Sequence, residues 1–522
     1  MIFNIHIVKI ALFFGAIFLF KTIVFSQDDM LELLPGSDKF IYNEKTGVHR
    51  LIGSVNFKYQ GNTMYCDSAH YKEPLKQVVA FGNVHVVKGN INLFCDSLYY
   101  NGNSKTAKLW SNVRLRDNEY KLLTDSMDYE TNTSVAIYRN GGRIERISDK
   151  SILTSKIGFI YTKSKNMAFS KNVSFQSQKV QIKTDTLQFK YAQNRALFYG
   201  SSFISIYDDS LRLETSIYTE KGWFNTETEE STLQKNSWIK KEGTYLEGDF
   251  LYTNPVKGVS IGKGNVYLND SIQHYIFSGN DFYSNDSTNV FYLTDKALVE
   301  KYNSKDTLYI HADTLFAFKD SVGDFSSILG YYGVQFFKTD IQGKCDSLSY
   351  HKSKGNMELF KDPIVWAKGR SELKGDFINV LFKEDSIVEQ MNVIGNATVL
   401  LEVDSGKYYN QIGGKDIKAM FLNNEIYRTD VKGNACTVFF PENKDSETDT
   451  SVIIKRLGMN RIYASDLRIY LDSNEVKGVT YFDKPDGVFY PIDKINTEEQ
   501  FIKGFSWKIA LRPRKWTELI ED

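Results

Sequence analysis

Apolar and polar residues alternate one for one through most of this chain. Val84 and Val86, Leu98 and Tyr100, Val113 and Leu115, and Met127 and Tyr129 each stand two apart, with polar residues on the opposite phase. A period of two belongs to a β-strand, and it sends these side chains to one face of a sheet and the polar ones to the other. No sustained 3.6-residue period appears between residues 40 and 490. Crossover helices are therefore not expected, and the pattern predicts an all-β, antiparallel chain.

The alternation is punctuated by a repeat. Residues 80–129 contain one unit twice: a Gly/Asn turn, a Val-centred strand, a short loop, and an Asp-Ser strand ending in Tyr. The Val phrase recurs as Gly82-Asn83-Val84, Ser111-Asn112-Val113, Lys171-Asn172-Val173, Gly264-Asn265-Val266 and Gly395-Asn396-Ala397. The Asp phrase recurs at Asp67, Asp96, Asp125, Asp185, Asp313 and Asp346, each followed by Ser or Thr. The step is about 30 residues, and a period of that size marks a stack of supersecondary units that bury their faces against one another. Each unit reads as two strands joined by Gly/Asn/Asp/Ser turns. The pattern lapses over residues 220–260 and stretches over 400–465, which suggests one β-roll over 28–250 and a second over 251–490. Residues 491–522 read as a tail, either a short helix announced by Thr497-Glu498-Glu499-Gln500 or a docking segment carrying Phe501, Phe505, Trp507 and Trp516.

Composition narrows the function. Lys+Arg and Asp+Glu are both 64, so the chain has none of the basic excess that nucleic-acid binding leaves, and no nucleic-acid partner is expected. Tyr and Phe number 32 and 36 and Pro only 8, which favours long uninterrupted strand pairing. The apolar run Ile10–Phe20, with Val24-Phe25-Ser26 before Gln27, reads residues 1–27 as a signal peptide and the protein as exported.

Chemistry-bearing clusters are few. Gly258-Val259-Ser260-Ile261-Gly262 matches the nucleophile-elbow pattern but runs straight into a repeat strand, where no helix follows. The seven histidines are scattered singly, so neither a catalytic set nor a metal site is expected. The recurring Asp has two readings, a stack of carboxylates for Ca²⁺ or glycan chemistry and a strand-opening residue that bonds turn N–H groups. Its presence in nearly every unit favours the second. Cys66, Cys95 and Cys345 share one slot of the repeat, and a Cys66–Cys95 disulfide is possible if equivalent strands are direct neighbours. A β-helix polysaccharide lyase or hydrolase, or a structural surface repeat protein, are the competing readings; a lyase calls for shorter repeats and a non-repeating cluster of Asp, Arg and Lys.

The phrases Gly82-Asn83-Val84 and Cys95-Asp96-Ser97-Leu98-Tyr99-Tyr100, in register over about residues 40–400, resemble the OstA-like (organic solvent tolerance) family of LptA-type periplasmic lipopolysaccharide-transport proteins. That resemblance implies an elongated β-jellyroll, an open V-shaped β-roll, with an apolar interior that shields the acyl chains of lipid A. It implies a non-enzymatic carrier in the periplasm, bridging toward the outer membrane, with no cofactor. Its partners would be lipopolysaccharide and, edge to edge, other transport proteins or itself. On that basis Val84, Val86, Leu98, Tyr100, Val113, Leu115, Met127, Tyr129, Val173, Phe175, Leu187 and Phe189 line the groove. The alternative is that the same side chains pack a closed core.

Overall fold

A computed structural model describes residues 32–521, apart from 60, 305, 384–386, 424, 442–455 and 473–474. The segment read as a signal peptide lies outside them. The described chain is almost entirely antiparallel β-strand, as the alternation predicts. Among the described residues no helix is long and apolar enough to cross a membrane. The chain divides into two compact units, Met1–Ser148 and Asp149–Asp522. The sequence pattern lapses near residue 250. There the strands Thr244–Asn254 and Val259–Asp270 pair along their lengths.

The first unit is a meander. Strands β1 (Glu32–Leu34) and β2 (Lys39–Asn43) both pair with β3 (Val48–Tyr59). There follow β4 (Asn62–Lys72), β5 (Gln77–Lys88), β6 (Ile91–Asn101), β7 (Thr106–Arg116) and β8 (Tyr120–Glu130), each paired with the next. Last come β9 (Val135–Tyr138) and β10 (Gly142–Arg146), which share β8 as partner.

The strands are longer than the sequence suggested, because Gly82-Asn83 is not a turn. It sits in the middle of β5, with φ of 70° and 45°, and the register with β6 shifts between Phe81 and Val84. Gly53-Ser54 in β3 and Ser111-Asn112 in β7 do the same. Two consecutive left-handed residues make a bulge that bends the strand, so each strand contributes to two walls. Gly-Asn at positive φ is also the composition of a hairpin turn, and the residues alone do not separate the two uses.

The recurring Asp holds this bulge. The Asn83 side-chain amide donates to Asp67 Oδ2 at 2.9 Å, and Asn112 donates to Asp96 Oδ2 at 2.6 Å, each pair 16 residues apart. In the second unit Asn265 donates to Asp249 at 2.9 Å, and Asn236 to Glu220 at 2.9 Å. At these four positions the acid latches a neighbouring bulge through the Asn side chain; elsewhere the bulge N–H is bonded directly, Asp416 accepting from Gly395 N at 3.0 Å and Asp466 from Gly433 N at 2.9 Å. The repeat only looked broken near residue 220 because Glu220 takes the place of Asp.

At Gly82 the fit is close: a Cβ there would lie 2.3 Å from Asp67 Oδ2. Ser111 occupies the equivalent position in β7 at φ 58°, so a side chain can stand there, but at Gly82 Asp67 must first move. Gly82→Ala should therefore cost about 2 kcal/mol, from left-handed strain and a displaced latch. Gly47→Ala, at φ 64° with nothing within 4 Å of the new Cβ, should cost about 1 kcal/mol. Urea melts of the two variants measure the difference, and equal midpoints would contradict the latch.

The second unit continues the same scheme with strands such as Asn166–Gln176, Val180–Lys190, Ile387–Val403 and Tyr408–Leu422. The tail holds no α-helix. It forms 3₁₀ turns at Thr497–Gln500, Ile509–Leu511 and Trp516–Leu519, the first capped by Asn496, whose side chain accepts from Glu498 N. It lies as a strap against the second unit's strands. In Ile387–Val403, Met391, Val393 and Ala397 face the interior, whereas Leu400 faces the other way and is still fully buried. The strap covers it: Leu400, Cys436, Val438, Phe440 and Met459 form an apolar cluster closed by Ile502. Gln411 reads the strap as a strand would, donating to Gln500 O at 2.6 Å and accepting from Ile502 N at 2.9 Å. Buried Glu372 accepts from Lys508 N at 2.7 Å and Trp366 Nε1 at 3.1 Å. Arg512 Nε donates to Gln342 Oε1 at 2.7 Å, and Trp516 stacks on Tyr309 at 5.0 Å.

Candidate functional site: the apolar interior

Strand pairing turns the alternation into continuous rows. On one wall of the first unit Leu51, Ala69, Ala80, Leu98, Leu109 and Met127 are successive cross-strand partners. All six are buried. Beside them runs His49, Tyr71, Val78, Tyr100, Ala107, Tyr129 and Ala136. On the other wall the row is Phe57, Met64, Val86, Leu93, Leu115, Leu122 and Ile144. No Asp, Glu, Lys or Arg interrupts these three rows, and His49 stands only at the end of the second.

The walls face one another, and their side chains meet. Tyr59, on one wall, lies 5.8 Å from Tyr100 on the other, ring centre to ring centre. Lys88 Nζ donates to Tyr129 Oη at 3.4 Å and sits 5.6 Å from the centre of that ring. In the second unit Phe175 stacks against Phe189 at 6.0 Å, and Phe277 meets Phe291 at 4.4 Å.

The twelve residues expected to line a groove fall into two sets. Val84, Leu98, Val113, Met127, Val173, Phe175, Leu187 and Phe189 are buried, between 0% and 7% exposed. They fill the bend of the roll. Val86, Tyr100, Leu115 and Tyr129 are half-exposed and stand toward the strand ends. In the first unit, position counted from the bulge separates the sets, Val84 and Val113 one step away being sealed and Val86 and Leu115 three steps away half-exposed; in the second unit Phe175 and Phe189, at the outer positions, are buried as well. Tyr59 and Lys88, the across-wall partners at that mouth, carry no signal in the repeat. They lie at strand ends, outside both repeated phrases.

Residues 33–185 match the family model described as OstA-like protein. The chain carries an OstA-like region. Among solved structures, LptH of Pseudomonas aeruginosa, described as the LptA-homologous periplasmic component of the conserved lipopolysaccharide transport device, is 16% identical. The match covers 29% of this chain and 95% of that one, with a TM-score of 0.21. Comparison with curated proteins gives no match.

Within the OstA-like region the cysteine slot faces inward at the bend. Cys66 and Cys95 are buried and free. Equivalent strands are not direct neighbours, because β5 lies between β4 and β6, and the Cys66–Cys95 disulfide is not formed. Strands two apart are separated by nearly 10 Å, beyond the Cα spacing of roughly 4.4–6.8 Å that a bridge needs. Burial, and secondarily the neighbouring Asp67, pushes the Cys66 thiol up to about 11. Burial and Asp96 push Cys95 up to about 12. Where Thr replaces Cys its hydroxyl finds a partner: Thr124 Oγ1 donates to Gly141 O at 2.7 Å, and Thr184 pairs with Ser202 at 2.8 Å. The slot is a filler of the bend in either form. Ser260, the centre of the elbow-like motif, stands within an unbroken strand opposite Thr253 and Ser284.

Proposed function

We propose that this protein is a non-enzymatic carrier that shields the acyl chains of lipopolysaccharide between the two apolar walls of its β-roll on the way to the outer membrane. It would act in the periplasm and join other transport proteins, or copies of itself, through its sheet edges. The observation that carries this reading is the uninterrupted apolar rows of the OstA-like region, ending at a mouth of half-exposed Val86, Tyr100, Leu115 and Tyr129. A saturated chain laid along such rows gains roughly 0.8 kcal/mol per buried CH₂, and no reacting group is needed. The bend is filled, so cargo enters by parting Tyr59 from Tyr100 and Lys88 from Tyr129. Lipid A is the class of ligand that suits two apolar walls with a cation, Lys88, at their lip.

Photo-reactive side chains placed at Tyr100 or Tyr129 test this. Lipopolysaccharide adducts are expected from both, and none from Tyr99, which faces the opposite side of β6. Adducts absent from every inward position would overturn the reading.

A further inference from the structure

The outer face of the second unit carries a row of rings that the function proposed above does not use. Phe203, Tyr218, Trp238, Tyr245 and Tyr267 follow one another across adjacent strands, with centroid separations of 4.8, 6.0, 6.1 and 6.3 Å. Their sequence neighbours Ile204, Ile217 and Leu246 are buried on the inner face, at 1%, 3% and 7% exposure, so the rings point outward. Phe203 is 52% exposed.

This row adjoins the track that the strap occupies and meets it at Tyr245. The strap's contacts run along Arg461, Gln411, Glu372, Gln342 and Tyr309. From Tyr309 the cross-strand partners continue through Glu300, Ile276 and Asn269 to Tyr245. The strap stops at Tyr309, where Trp516 stacks. The chemistry also continues. Strap rings lie on wall tyrosines, Phe505 and Trp507 on Tyr409 at 5.2 and 5.3 Å and Trp516 on Tyr309, and the strap's Arg512 bonds the side-chain acceptor Gln342. Past Tyr309 the next side-chain acceptor is Glu300, half-buried, with a carboxyl raised above the ordinary range by burial alone. The next rings are those of the outward row.

From this continuity we infer that the row Phe203–Tyr267, with Glu300, is a docking surface for an extended segment of a partner protein bearing aromatic and basic side chains, laid end to end with the chain's own strap. Aromatic side chains seat on the rings, each such pair contributing about 0.5–1.5 kcal/mol beyond area, and a cation meets Glu300. The inference does not rest on the carrier function.

The test uses the intact chain and a fluorescein-labelled synthetic peptide of residues 496–521, which has the required aromatic and basic composition. Anisotropy titration should show one peptide bound per chain. Glu300→Gln and Trp238→Ser should each weaken binding at least tenfold, with the melting temperature of the Glu300→Gln chain unchanged. No binding, binding indifferent to both substitutions, or a peptide that crosslinks at Tyr409 by displacing the native strap would each overturn the proposal.

Discussion

Removing residues 496–521 should lower the melting temperature by about 10 °C and expose an apolar face that binds hydrophobic dye. The strap fully buries Ile502 and Leu519, at 5% and 2% exposure. A buried aliphatic side chain is worth roughly 1.5–3 kcal/mol, so the two together give on the order of 5 kcal/mol, and a change of that size in a large domain moves the midpoint by about 10 °C. The loss also uncovers Leu400, Val438, Phe440 and Met459. These side chains point away from the interior, so no rearrangement of the roll re-covers them. A finer lesion makes the same point: Gln411→Ala strips the partners from Gln500 O and Ile502 N, at about 1–3 kcal/mol for each group left unpaired. A truncated chain that melts with the full-length one, and binds no more dye, would show the strap to be ornamental.

The second large effect separates the bend from the mouth. Leu98→Asp should unfold the first unit. Leu98 is 5% exposed between Ala80 and Leu109, with no cation or donor beside it in its row, and a carboxylate placed there costs several kcal/mol. Tyr100→Asp, two residues along the same strand and the same face, should leave the fold intact. Its side chain reaches the mouth, and the lost ring pair with Tyr59 is worth about 1 kcal/mol. On the proposed function it should nonetheless weaken lipopolysaccharide binding at least tenfold, by setting a charge on the path of the acyl chains. Circular dichroism melts and binding isotherms of the two variants decide this. If Tyr100→Asp unfolds the chain as Leu98→Asp does, the mouth is merely more core.

Much of this was legible in the residues. Alternation at Val84/Val86 and Leu98/Tyr100 set the class and the inward face, because a period of two leaves little choice once helices are excluded. The latch was also within reach, since the steps from Asp67 to Asn83 and from Asp96 to Asn112 are equal. What hid it was the double meaning of Gly-Asn, which serves a turn and a mid-strand bulge with the same positive φ. In the first unit the split into sealed and half-exposed residues follows distance from that bulge, and so was hidden with it. The strap's rings at Phe505, Trp507 and Trp516 were visible, but where they dock is set by contacts with residues far away in sequence, such as Gln342 for Arg512. Local pattern carries no information about pairings of that range.

On the proposed function acyl chains, not sugars or phosphates, are what the interior holds. This is tested most directly by comparing binding of lipopolysaccharide and of its chemically deacylated form to the purified chain. Saturable binding of the first and at least a hundredfold weaker binding of the second are expected. Equal affinity for both would contradict it.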